Sequence, residues 1–157
     1  MTVCYLGTLR EGGFSPPLSC ASAGRWRVNI LVVDDNRDYR FLLDLTLDLG
    51  GFKVYSAEDG IEGIEVLEST DIDLIISDIR MPRMDGTKLN AYVRTSSKYK
   101  NTKFIFVSGF KDVYSSILVL NPKLDFFLDK TTPSEEILLL VNTLLSRDRT
   151  GEFVEVR

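Results

Sequence analysis

The chain has 157 residues, 44% of them apolar and 27% charged, and a formal net charge of −4. That is ordinary for one soluble globular domain that buries its core without disulfides or a structural metal, and the acidic balance argues against a nucleic-acid-binding surface. Histidine is absent, which removes it as general base, metal ligand or phosphorylated nucleophile.

Cys4 and Cys20 are the only cysteines, and their placement suggests neither a disulfide framework nor a zinc site. No apolar run approaches the ~20 residues of a membrane helix, and none near the start has the form of a secretory signal. Residues 1–27 are rich in Gly, Ser, Pro and Ala between Glu11 and Gly24. They read as a flexible extension or an upstream leader, with a short docking or localisation segment as the alternative. The expected division is an extension at 1–27, a domain at 28–146 and a tail at 147–157.

From Arg27 onward, short apolar runs alternate with amphipathic stretches. Val28–Val33 is β-branched and Leu-rich, as in a strand buried on both faces. Asn36–Leu49 places Tyr39, Leu42, Leu43, Leu45, Thr46 and Leu49 at helical spacing, stopped by Gly50-Gly51. Phe52–Ala57 is a second strand, and Ile61, Ile64, Val66 and Leu67 mark a second helix. Asp73–Ser77 is a third strand ending in Asp78. Met81–Gly86 is a loop punctuated by Pro82 and Gly86, followed by a helix bearing Leu89, Tyr92 and Val93. Lys103–Val107 is a fourth strand, Asp112–Leu120 a weaker fourth helix ended by Asn121-Pro122, and Asp125–Leu128 a fifth strand. The last helix has Thr132 as N-cap, Pro133 at its first position and Glu135 closing a capping box. Its apolar face comprises Ile137, Leu138, Leu140, Val141, Leu144 and Leu145. Five strands alternating with five helices imply an α/β fold with a parallel sheet covered on both faces.

In such a sheet, ligands collect at the carboxyl ends of the strands. There the chain places Asp34-Asp35 after the first strand, Asp78 after the third, Ser108 after the fourth and Asp129-Lys130 after the fifth. Carboxylates crowded together repel by ~4 kcal/mol per close pair at an effective dielectric near 20. A divalent cation relieves this, and an oxygen-only donor set favours Mg²⁺ or Mn²⁺, the usual partners of phosphate. Lys130 and Ser108 can bind phosphate oxygens, and an aspartate can itself be the nucleophile that forms an acyl phosphate. Taken singly, each residue has a plainer reading: Asp34 or Asp35 as a helix cap, Ser108 as turn chemistry before Gly109, Lys130 as a solvated surface lysine. Their coincidence on one edge favours the chemical reading.

From about Val28 to Leu145 the chain resembles the receiver domains of two-component response regulators. The resemblance rests on Asp34-Asp35, Asp78, the Met-Pro-x-Met-Asp-Gly loop at Met81–Gly86, Ser108 and Lys130. Asp35 to Asp78 is 43 positions, Asp78 to Ser108 is 30 and Ser108 to Lys130 is 22. It implies a flavodoxin-like doubly wound sheet of order 2-1-3-4-5. Asp78 matches the phosphoacceptor. Asp35 matches the direct Mg²⁺ ligand, Asp34 one acting largely through water, and the Arg80 carbonyl completes the protein ligands. Lys130 and Ser108 match the groups that bind the phosphoryl oxygens. Ser108 and Phe127 match the switch pair, with Phe127 turning inward and reshaping the face made by the fourth predicted helix, the fifth strand and the last helix.

The chain departs from the family pattern in having Lys123-Leu124 ahead of the fifth strand and Thr131-Thr132 between Lys130 and Pro133. Phe127 stands where a tyrosine is common. Arg80 and Phe110, two places after Asp78 and Ser108, are expected to hinder water and slow loss of the phosphoryl group. The implied function is a cytoplasmic phosphoacceptor switch with no separate output domain. It is not an enzyme, although it catalyses its own phosphorylation and dephosphorylation. The expected partners are a sensor histidine kinase or histidine phosphotransfer protein and a downstream protein, with a homodimer compatible and no nucleic acid or membrane involved. The alternatives are a phosphorelay intermediate and a receiver-fold interaction module independent of phosphorylation. A phosphatase of the haloacid dehalogenase type fails on spacing, because it needs a second Asp two positions after its nucleophile, where Asn36 stands. A flavodoxin fails for want of a Ser/Thr-rich phosphate loop after the first strand.

Overall fold

The computed structural model describes residues 28–109 and 121–150, with side chains to 146. The β-branched and apolar runs form strands β1 (Asn29–Val33), β2 (Lys53–Ala57), β3 (Leu74–Asp78), β4 (Lys103–Ser108) and β5 (Asp125–Asp129). The amphipathic stretches form α1 (Arg37–Leu49), α2 (Gly60–Ser69), α3 (Gly86–Thr95) and α4 (Ser134–Thr150). All pairings are parallel and the order is β2-β1-β3-β4-β5, as expected. The described residues therefore contain four helices; the predicted helix at Asp112–Leu120 lies outside them.

Side-chain alternation divides the core into two layers. Leu31, Val33, Ile75, Phe104 and Phe106 face α2 and α3, meeting Leu67, Leu89 and Val93. Ile30, Val32, Leu74, Ile76, Ile105 and Val107 face α1 and α4, meeting Leu43, Leu47, Ile137 and Val141. Strands β3 and β4 are buried along their whole length, as central strands of a parallel sheet must be when both faces are covered.

Side-chain carboxamides and carboxylates start three of the helices. Asn36 accepts from the amides of Asp38 and Tyr39, Asp59 from those of Ile61 and Glu62, and Asp85 from that of Lys88. Helix α1 ends where Gly51 adopts φ 86°, a left-handed conformation that glycine takes without steric cost. Helix α4 corrects the expected start by one residue. Its first bond runs from the Ile137 amide to the Pro133 carbonyl, so Pro133 occupies the cap and Thr132 lies outside. Asp129 takes up the preceding residues instead, accepting from the Thr131 amide and hydroxyl. The helix continues to Thr150, past the expected boundary at 146.

The amino edge of the sheet is tied by a polar network. Buried Asp125, the first residue of β5, accepts from Arg94 and Asn90 on α3 through one oxygen and from the Asn121 amide through the other. Arg94 also donates to the carbonyls of Lys100 and Thr102. Buried Lys103, the first residue of β4, donates to the Leu144 carbonyl of α4.

Candidate functional site

The opposite, carboxyl edge gathers the chemistry. Strand β1 delivers Asp34, which is only 1% exposed, and Asp35, which is exposed. The Asp34 backbone is fixed on both sides: its amide donates to the Ala57 carbonyl, and its own carbonyl accepts from the Arg40 guanidinium. One carboxylate oxygen of Asp34 accepts from the Asn36 amide at 2.8 Å. Asp78 closes β3 and is largely buried, and Ser108 closes β4 and is buried beside Asp129 of β5. The turn after β5 brings Lys130 over the edge. Its Nζ stands 2.7 Å from Asp34 Oδ2 and 2.8 Å from Asp78 Oδ2, while its amide donates to the Ser108 carbonyl.

Carboxylate oxygens of Asp34, Asp35 and Asp78 all lie within 4.8 Å of one another. Three carboxylates against one ammonium leave a local excess of two negative charges, which one divalent cation would cancel. The donors are hard oxygens, the set that suits Mg²⁺, Mn²⁺ or Ca²⁺ rather than a thiolate- or imidazole-seeking metal.

The electrostatics agree with this crowding. Burial pushes the Asp34 carboxyl above its ordinary value; Lys130 and the Asn36 amide pull the other way without prevailing, and Asp78 adds repulsion. Burial also works against the Lys130 charge, but its hydrogen bonds to Asp34 and Asp78 outweigh that and hold the ammonium firmly protonated. Tyr39 lies under Lys130, whose Nζ is 5.1 Å from the ring centroid. Burial, then the charges of Asp34, Asp78 and Asp129, push its phenol up to about 12.

The β3–α3 loop packs tightly behind Asp78. Gly86 donates its amide to the Ile79 carbonyl, and a Cβ there would lie 2.0 Å from the Asp78 carbonyl oxygen. Only glycine fits that approach. Arg80 is exposed, and its amide donates to Asp78 Oδ1 at 3.3 Å. Phe127 is half-buried against the α2–α3 layer, beside its register partner Phe106. Phe110 lies outside the described residues.

Asp34, Asp35, Asp78 and Lys130 thus converge as expected, with Ser108 on the next strand, one residue beyond the register partner of Asp78. Sequence reasoning missed Tyr39 beneath the lysine and Arg40 on the Asp34 carbonyl. Both lie in the first turn of α1, five and six positions after Asp34, and the hydrophobic pattern absorbed Tyr39 as core. It also missed a pair joining Asp59 to Arg83, which are 24 positions apart with no local signal to link them.

Residues 30–142 match the Response regulator receiver domain family. Over 128 residues the chain is 30% identical to Response regulator MprA of Mycobacterium bovis, covering 82% of this chain and 55% of that protein. It is 35% identical over 112 residues to the CAI-1 autoinducer sensor kinase/phosphatase CqsS of Vibrio cholerae, covering 71% of this chain and 16% of that one. The chain thus spans about half the length of MprA and a small part of CqsS. Among solved structures, a CheY-like response regulator receiver domain protein from Methanospirillum hungatei superposes with a TM-score of 0.72 at 25% identity, covering 80% of this chain and 99% of that one. Chemotaxis protein CheY4 of Vibrio cholerae gives 0.69 at 27% identity, covering 75% and 98%. With the fold, the acidic edge and the family match in agreement, the chain belongs to the response regulator receiver domains of two-component signalling.

Proposed function

We propose that this domain accepts a phosphoryl group on Asp78 from a phosphohistidine, with Mg²⁺ held by Asp34, Asp35, Asp78 and the Arg80 carbonyl. One observation carries the reading: Lys130 Nζ bridges Asp34 and Asp78 at 2.7 and 2.8 Å on the edge where three carboxylates meet. When bound, Mg²⁺ supplies charge neutralisation for the carboxylates and the transferring phosphoryl oxygens.

The chain's own residues do the rest. A carboxylate oxygen of Asp78 attacks phosphorus. The new O–P bond forms as the P–N bond of the donor breaks, and the electron pair returns to the imidazole nitrogen. Lys130, pinned by two carboxylates and firmly cationic, is placed to attract the phosphoryl oxygens, a preorganised charge that needs no rearrangement of solvent. The Ser108 hydroxyl donates to a further oxygen. Its shift opens space for Phe127 to turn from half-burial into the layer of Phe104 and Phe106. That movement alters the surface of β5 and α4, with the predicted helix at 112–120 as its third component, where a downstream protein binds. The donor is a sensor histidine kinase or a histidine phosphotransfer protein, and onward transfer would make the domain a relay intermediate. No helix among the described residues is long and apolar enough to cross a membrane, and a cytoplasmic setting suits the chemistry.

The test is intact-mass measurement after incubation with acetyl phosphate and Mg²⁺. The expected result is gain of one labile phosphoryl group, lost in Asp78→Asn and without Mg²⁺. Lys130→Ala should slow the gain on the order of 100-fold, as loss of a charge-stabilising donor does. Following decay in Arg80→Ala and Phe110→Ala reads whether those side chains shield the acyl phosphate; faster loss is expected. No gain in the wild type, together with no response to beryllofluoride, would replace this reading with a phosphorylation-independent binding module.

A further inference from the structure

The loops bearing the site are tied together through a turn that carries none of its ligands. Arg40 donates to the Asp34 carbonyl and pairs with Glu58 at 3.3 Å. The next residue, Asp59, is 1% exposed and shares itself between two tasks. One carboxylate oxygen caps α2, and the other pairs with Arg83 Nε in the β3–α3 loop. The same guanidinium reaches Glu62 at 2.8 Å, and Glu62 in turn accepts from the Glu58 amide at 3.0 Å. The Gly60 amide donates to the Met84 carbonyl, and the Met84 side chain fills the space a Cβ on Gly60 would need. Arg83 itself has φ 58°, a sparsely populated conformation for a residue with a Cβ. Such a conformation persists where surrounding contacts over-determine it, and here those contacts are the two ion pairs.

We propose that Arg83 and Asp59 are positioning residues for cation binding, bracing the β3–α3 loop so that its Arg80 carbonyl meets the cation held by Asp34, Asp35 and Asp78. The inference rests on the Mg²⁺ reading above. Mg²⁺ demands near-ideal octahedral geometry, so a ligand on a loop that samples other conformations contributes little. Outer groups that fix the ligands of other metal sites change affinity by roughly 10–100-fold when removed. Simple electrostatics makes a different forecast. Loss of the Arg83 charge would leave the site more negative and tighten cation binding, whereas loss of the Asp59 charge would weaken it. The brace requires both to weaken it.

The experiment is calorimetric titration of Mg²⁺ into the full chain, repeated with Mn²⁺ by electron paramagnetic resonance, with thermal unfolding of each variant in chelator. Arg83→Gly removes the side chain and accommodates the positive φ. Asp59→Asn keeps the cap oxygen and removes the charge. Each should raise the Mg²⁺ Kd by about 10-fold, with a cooperative unfolding transition retained although Tm falls in Arg83→Gly, where buried Asp59 loses its cationic partner, and the double variant should be little weaker than either single one. An unchanged or tighter Kd in Arg83→Gly would overturn the brace, as would two effects that multiply in the double variant. A wild type that fails to bind Mg²⁺ or Mn²⁺ would remove the metal reading itself, a result distinct from any of these.

Discussion

Burial lifts the Asp34 carboxyl above its ordinary value of 3.8 although Lys130 stands 2.7 Å away. The sign of the consequence follows from linkage. A carboxyl whose folded pKa is raised binds its proton more tightly in the folded state. Its charge therefore costs stability above the folded pKa, and that cost disappears as pH falls toward the unfolded value. Asp34→Asn has no such proton to bind. In chelator, the wild type should gain stability relative to Asp34→Asn as the pH is lowered from neutrality toward 3.8, read by urea denaturation at a series of pH values. A difference that stays flat would show that burial does not govern this carboxyl. Mg²⁺ should narrow the effect by competing with the proton, and at 100 times its Kd a cation that binds only the folded state adds about 2.7 kcal/mol.

At the scale of the element, the strands and most helices were legible because their signals are local. The fully buried runs LIISD and KFIFVS have the composition of strands buried on both faces, and β3 and β4 are buried throughout. Helix α1, read as Asn36–Leu49 stopped by Gly50-Gly51, runs Arg37–Leu49 with Asn36 as its cap and stops where read. The start of α4 misled by one residue because Thr132-Pro133 offers a strong cap signal, while Asp129 folds Thr131 into a turn of its own. The carboxyl edge was legible for a similar reason: Asp34-Asp35 follow β1, Asp78 ends β3 and Lys130 follows β5. The amino-edge network was not, since Arg94 and Asp125 are 31 positions apart with no local signal to link them. Asp125 has a side chain only 1% exposed, so Arg94→Ala would leave a buried carboxylate with Asn90 and one amide. Removing one partner of a buried pair costs about 3–5 kcal/mol. We expect a loss near the lower figure, because the Arg94 side chain is 17% exposed. It should be measured as a drop in the urea midpoint at unchanged slope; a loss below about 1 kcal/mol, the range of surface pairs, would mean that the network is ornamental.

Across the whole molecule the two ends of the sheet are built differently. The amino end is cross-linked by Arg94, Asp125, Asn90 and Lys103, which join α3, β5, β4 and α4. The carboxyl end holds like charges in check with one lysine, and its further ties, Arg40 to Glu58 and Arg83 to Asp59 and Glu62, join loops and helix starts and not the central strands. Beryllofluoride with Mg²⁺ should therefore change amide hydrogen exchange unevenly. The Lys130 amide on the Ser108 carbonyl and the Arg80 amide on Asp78 should change protection. The Phe104 amide on the Leu124 carbonyl and the Asp125 amide on the Asn121 carbonyl should not. Equal changes at both ends would contradict this. In mechanical language the domain is a beam whose strands are clamped at one end and whose loops alone are tied at the other. On the proposed reading, a small displacement at the loop-held end would be steered sideways, through β5 and α4, to whatever rests against them.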